Sequence, residues 1–208
     1  NTKMVDKAPE HWADLWRPEY KNDIMMYDGA REVMGIGLNS LGYSLNSKDP
    51  QQLQESVDKL YTLMPNIKAL VADEMKGYMI QNNAAIGVTF SGEASQMLEA
   101  NEDLRYVVPS EASNLWFDNI VIPKTVKNKE AAYAFINFML RPENAYKNAL
   151  YVGYSTPNKE AKKMLPEEVQ EDQAFYPSDD TLKNLEVYEQ LGKKWLGVYN
   201  DLYLQVKM

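Results

Sequence analysis

The sequence predicts an α/β layered domain with a largely parallel sheet, followed by a helical segment. Three observations carry this reading. Short apolar runs alternate with stretches of helical apolar spacing through the first half of the chain. Turn residues separate the two patterns, and after Pro123 the character changes to helices. Parallel neighbours need long crossover connections, so strand and helix alternate along a chain that builds such a sheet.

In order, Ile24-Met25-Met26-Tyr27 is a strand-like run that ends at the turn signal Asp28-Gly29, and a helical pattern runs from Ala30 to Leu41 until Gly42 stops it. Residues 50–64 keep Leu53, Val57, Leu60 and Leu63 at helical spacing. Strand 67–71, helix 73–80, strand 84–90, helix 92–99 and strand 104–108 follow. A boundary is expected near 110–114. A further strand is expected over 115–123, then helices at 128–140, 142–151 and 159–164 around the turn Thr156-Pro157-Asn158, and a C-terminal helical series from Asp179. Ligands of such sheets collect at the carboxyl ends of strands, where Asp28, Phe90 and Ser91 fall.

The 208 residues suit one or two domains, with 45% hydrophobic and 25% charged residues. A formal charge of −8 and a pI near 4.8 argue against nucleic acid or an anionic membrane as partner and suit a cationic ligand. Without cysteine there is no disulfide, thiolate or Cys-ligated zinc chemistry. One histidine, His11, in a polar stretch, leaves little material for Ser-His-Asp catalysis or a His-rich metal site. We therefore expect no cofactor, metal or catalytic residue. No stretch approaches the roughly 18 apolar residues of a membrane span.

The segment Leu115-Trp116-Phe117-Asp118-Asn119 carries the most chemistry. On a strand, Trp116 and Asp118 would share one face. A carboxylate gives an ammonium group charge-assisted hydrogen bonds, and an indole adds roughly 0.5 to 2 kcal/mol of cation–π attraction. The tripeptide also suits a core Trp beside a solvated Asp. Other features are plainer: Glu167, Glu168, Glu171 and Asp172 read as a solvated face, Asp179-Asp180 as a helix start, and the methionines as core filling. Gly35-x-Gly37 lacks the strand-loop context of a dinucleotide fingerprint.

The runs Trp116 to Lys124, Asn137 to Ala145 and Gly153 to Asn158, with Trp12 to Trp16, Asp28 to Val33 and Leu41 to Ser44 upstream in the same order, resemble the substrate-binding proteins of bacterial spermidine/putrescine ABC transporters. The resemblance covers nearly the whole chain. It implies a periplasmic-binding-protein-like fold of type II, with two α/β lobes that close over the ligand, and a longer protein with a signal sequence and most of the first lobe ahead of Asn1. In that scheme residues 1–112 and 165–208 form the second lobe, and 113–164 cross over to complete the first.

The resemblance implies ligand roles for Trp116, Asp118 and Tyr154, and for Glu32. At Gly29 a better-known member has an acid, so that role passes to Asp28 or is lost. Phe90 stands where that member has Trp, and Tyr188 where it has an amide. Physically, Glu32 and Asp118 would hold the ammonium ends of a polyamine, and Phe90, Trp116 and Tyr154 would wall the methylenes. The implied partners are the polyamine and the permease and ATPase subunits of an ABC transporter. The implied location is periplasmic or extracellular, membrane-associated if a lipid anchor lies outside this chain. A dimer formed by exchange of the crossing segment is a further expectation for the chain as it stands. The alternative from another class is a carbohydrate-active hydrolase using paired carboxylates such as Glu32 and Asp118.

Overall fold

The computed structural model describes residues 1–208. Ile24, Met25 and Met26 are all buried, which requires cover on both faces because successive strand side chains point to opposite sides. The strand they form, β1 (Ile24–Tyr27), is the centre of a three-stranded parallel sheet, between β2 (Ile67–Val71) and β3 (Ile86–Val88). Met26 lies opposite Leu70 on one side and Val88 on the other.

The connections are helices: α1 (Ala30–Ser40), α2 (Pro50–Leu63), α3 (Met75–Ile80) and α4 (Ser91–Ala100). After them come β4 (Ser113–Asn114), α5 (Lys129–Met139), α6 (Pro142–Val152), α7 (Lys159–Met164), α8 (Glu167–Gln170), α9 (Asp179–Leu182), β5 (Leu185–Glu186) and α10 (Gly192–Lys207). Asp49 caps α2, its carboxylate accepting from the amides of Gln51 at 2.8 Å and Gln52, with Pro50 at the first helical position. Gly42, at φ +76°, ends the turn after α1 in the left-handed region.

Ile24 and Met26 pack with Val33, Leu53, Leu60 and Tyr199, from α1, α2 and α10. Met25 faces the opposite side and packs with Met75, Met79 and Met97, from α3 and α4. The result is the three-layer α/β arrangement that the sequence predicts, with methionines filling much of the second core. All strand pairings are parallel, including the short β4–β5 pair. No helix is long and apolar enough to cross a membrane.

By contacts the chain divides into two compact units, residues 1–115 with 179–208, and residues 116–178. The second unit is helical, α5 to α8, and residues 165–178 belong to it: the Gln170 side chain donates to Leu165 O at 2.7 Å, and the Tyr176 hydroxyl accepts from Thr156 N at 3.1 Å.

Two predicted strands are absent. Residues 104–108 form no strand; they and β3 line a common apolar cavity of about 230 Å³, together with Leu15 and Met97. Residues 115–123 are irregular beyond Leu115, whose amide donates to Glu186 O at 2.9 Å. A strand exists only where a neighbour takes up its backbone groups, and the second unit contains none. Phe117, Ile120 and Val121 are accordingly exposed, at 57%, 57% and 78%.

Candidate functional site

In the first unit the candidate groups gather at the carboxyl end of β1. Asp28 follows the strand directly, its amide donating to Val71 O at 2.9 Å. Gly29 is the N-cap of α1, with extended backbone, and Glu32 lies in the helix's first turn, where a carboxylate is favoured by the unpaired amides and the helix dipole. The Glu32 carboxylate folds back over Gly29: an ideal β-carbon there would lie 2.1 Å from its Oε2.

Phe90 closes the neighbouring connection. It is the N-cap residue of α4, and its ring meets that of Tyr27 edge-on, with centroids 4.8 Å apart. Glu93 accepts from Thr89 Oγ1 at 3.1 Å.

The two acids differ in their surroundings. Both oxygens of Asp28 are engaged from α10: Lys207 Nζ donates to Oδ2 at 2.6 Å and the Tyr203 hydroxyl donates to Oδ1. These bonds, that from Lys207 foremost, hold the Asp28 carboxyl below its usual range. Glu32 makes no hydrogen bond or ion pair within the chain. Its charge nevertheless acts on three phenols, Tyr27, Tyr188 and Tyr203, each raised mainly by burial and further by Glu32. Arg31, next in sequence, turns elsewhere: its guanidinium lies over the rings of Tyr188 at 4.3 Å and Tyr199 at 5.0 Å and donates to Asn46 Oδ1 at 2.8 Å. It therefore does not take up the Glu32 carboxylate.

In the second unit, Trp116 and Tyr154 meet edge-on with ring centroids 5.3 Å apart and planes at 74°, a favoured aromatic geometry. Gly153 caps α6 at φ +73° and thereby turns the chain into Tyr154. The turn is held further on by Asn158, which caps α7 by accepting from Glu160 N and Ala161 N and donates from Nδ2 to Leu140 O at 2.8 Å. Asp118 is exposed and lies on irregular backbone, so the shared strand face expected for Trp116 and Asp118 is absent. The structure thus brings together Asp28, Glu32 and Phe90 in one unit, and Trp116 with Tyr154 in the other. His11 is exposed, its ring 3.1 Å from Glu111.

Sequence reasoning did not identify Tyr27, Tyr203 or Lys207. Tyr27 could be read as the last residue of its strand. The partners of Asp28 carry no local signal, because they lie 175 and 179 residues away.

Residues 1–177 match the family of bacterial extracellular solute-binding proteins. The chain belongs to this family. A solved spermidine/putrescine ABC transporter substrate-binding protein from Streptococcus pneumoniae is 76% identical, with a TM-score of 0.93, over all of this chain and 64% of that one. A solved structure from Listeria monocytogenes is 58% identical, with a TM-score of 0.91, over 98% of this chain and 63% of that one. The spermidine/putrescine-binding periplasmic protein of Escherichia coli is 38% identical over all of this chain and 60% of its own length. The chain thus spans about three fifths of the curated relatives it matches. The Streptococcus and Escherichia relatives are named as binding proteins, and the hydrolase reading finds no support among the relatives.

Proposed function

We propose that the protein containing this chain captures polyamines outside the cytoplasm and delivers them to the permease and ATPase subunits of an ABC transporter. The observation that carries this is the Glu32 carboxylate, without a partner in the chain and bordered by Tyr27, Tyr188 and Tyr203. An acid in that setting suits an ammonium group, which it can receive with a charge-assisted hydrogen bond beside rings that favour cations. In the second unit the Trp116–Tyr154 ring pair supplies a wall for methylenes, and Asp118 a second carboxylate. Asp28 takes a supporting part, since Lys207 already neutralises it. The names of the Streptococcus and Escherichia relatives support the same ligand class.

The protein acts as a carrier without chemical turnover. Titration calorimetry of the full-length protein with spermidine, putrescine and an oligosaccharide tests the function. Saturable heat with the polyamines alone is expected. Heat with the oligosaccharide alone, or turnover of any of the three, would overturn the proposal.

A further inference from the structure

We propose that Lys207 sets the charge selectivity of the site: its ammonium is a built-in counter-ion that occupies Asp28 and leaves Glu32 as the neighbouring carboxylate open to a ligand cation. This rests on the polyamine reading above.

The two acids flank Gly29 at the end of β1, and both bear on the Tyr203 phenol. Two free carboxylates so placed would attract two ammonium groups. Only one is free. Lys207 Nζ lies 2.6 Å from Asp28 Oδ2, and Tyr203 satisfies the other oxygen, so no oxygen of Asp28 is left for a ligand ammonium. The nearest arginine, Arg31, is spent on Asn46, Tyr188 and Tyr199 and does not duplicate this effect at Glu32. A ligand with one ammonium at Glu32 meets an attractive field. A second ammonium brought toward Asp28 meets the Lys207 cation, and like charges at such range repel. Lys207 sits in the last turn of α10, where the helix dipole favours a cation, and it is partly exposed, so the repulsion reaches a ligand without a large fold cost. This end of the site therefore favours ligands that present a single ammonium to it and penalises those with closely spaced charges.

The test is calorimetry on the full-length protein with putrescine and spermidine, which carry two and three ammonium groups. Lys207→Met is expected to raise spermidine affinity relative to putrescine at least fivefold. Lys207→Arg, which keeps the charge, should retain the wild-type ratio. So should Tyr61→Phe, which removes the bond from the Tyr61 hydroxyl to Gln205 O and loosens the end of α10 without changing charge. An unchanged ratio in Lys207→Met, with both ligands still bound, overturns this inference and leaves the proposed function standing. A change that Tyr61→Phe reproduces also overturns it, because Lys207 would then act only by pinning the helix. Wild-type protein that binds neither ligand overturns both.

Discussion

The carboxylate of Glu32 occupies the space that a side chain on Gly29 would need, its Oε2 2.1 Å from an ideal β-carbon position. The backbone at Gly29 is extended, so any residue could adopt it. The glycine is required by the space alone. Gly29→Ala should thus leave the fold intact, since the obstructing atom ends a flexible side chain, but swing Glu32 away from the phenols. Polyamine affinity of the full-length protein should fall about tenfold, roughly 1.4 kcal/mol, with the melting temperature nearly unchanged. Calorimetry and a thermal melt check the two halves separately.

Asp28 offers a prediction in pH. Its folded pKa is depressed by Lys207 and Tyr203, so the stabilisation from their contacts is fully present above the unfolded carboxyl value of about 3.9 and lost as pH falls through the folded value. Asp28→Asn should melt below wild type at pH 7, and the two melting curves should draw together below about pH 4. A constant offset down to pH 2 would mean that Asp28 contributes by shape.

Asp118 is exposed in this chain, with no neighbour to compensate its loss. Asp118→Asn in the full-length protein is expected to weaken polyamine binding at least about tenfold, because removing the charge partner of a desolvated ammonium costs more than ~1.4 kcal/mol. An unchanged dissociation constant by calorimetry would remove Asp118 from the site.

Tyr154→Ala breaks the edge-on contact with Trp116, worth about 0.5–1.5 kcal/mol for such a pair. Both polyamines should lose affinity to a similar degree, because the wall serves methylenes and not charges. The change should also appear as a shift in tryptophan fluorescence.

Gly37 tests the core. A β-carbon there would lie 2.3 Å from Ser56 Oγ and 2.9 Å from Leu60 Cγ, where α1 meets α2. Gly37→Ala gains helix propensity of about 1 kcal/mol, yet overpacking costs about 1–3 kcal/mol. The Ser56 hydroxyl, fully buried and bonded to Met34 O at 3.2 Å, has little room to yield. A lower denaturant midpoint is expected, with ligand affinity retained.

The alternation from β1 to α4 was legible because each element carries its own pattern and punctuation: Asp49-Pro50 before α2, Gly42 after α1, and apolar residues at helical spacing between. Residues 104–108 and 115–123 were not, for a physical reason. Leu104, Val107 and Val108, or Ile120, Val121 and Ile122, read as strand from composition, but composition does not report whether another strand lies alongside. The site divides in the same way. Glu32 and Tyr154 could be named through the resemblance, whereas the pairing of the Asp28 carboxylate with Lys207 depends on α10 folding back onto β1.

That return of α10 has a consequence for how the protein is made. Leu191, Tyr199, Tyr203 and Val206 belong to the same core as Ile24 and Met26, so the first unit stays open on one face until α10 has left the ribosome. Until then the sheet is formed but one face carries uncovered apolar surface, a state that folding helpers can still engage. The layer closes when α10 has emerged and Tyr203 and Lys207 reach Asp28.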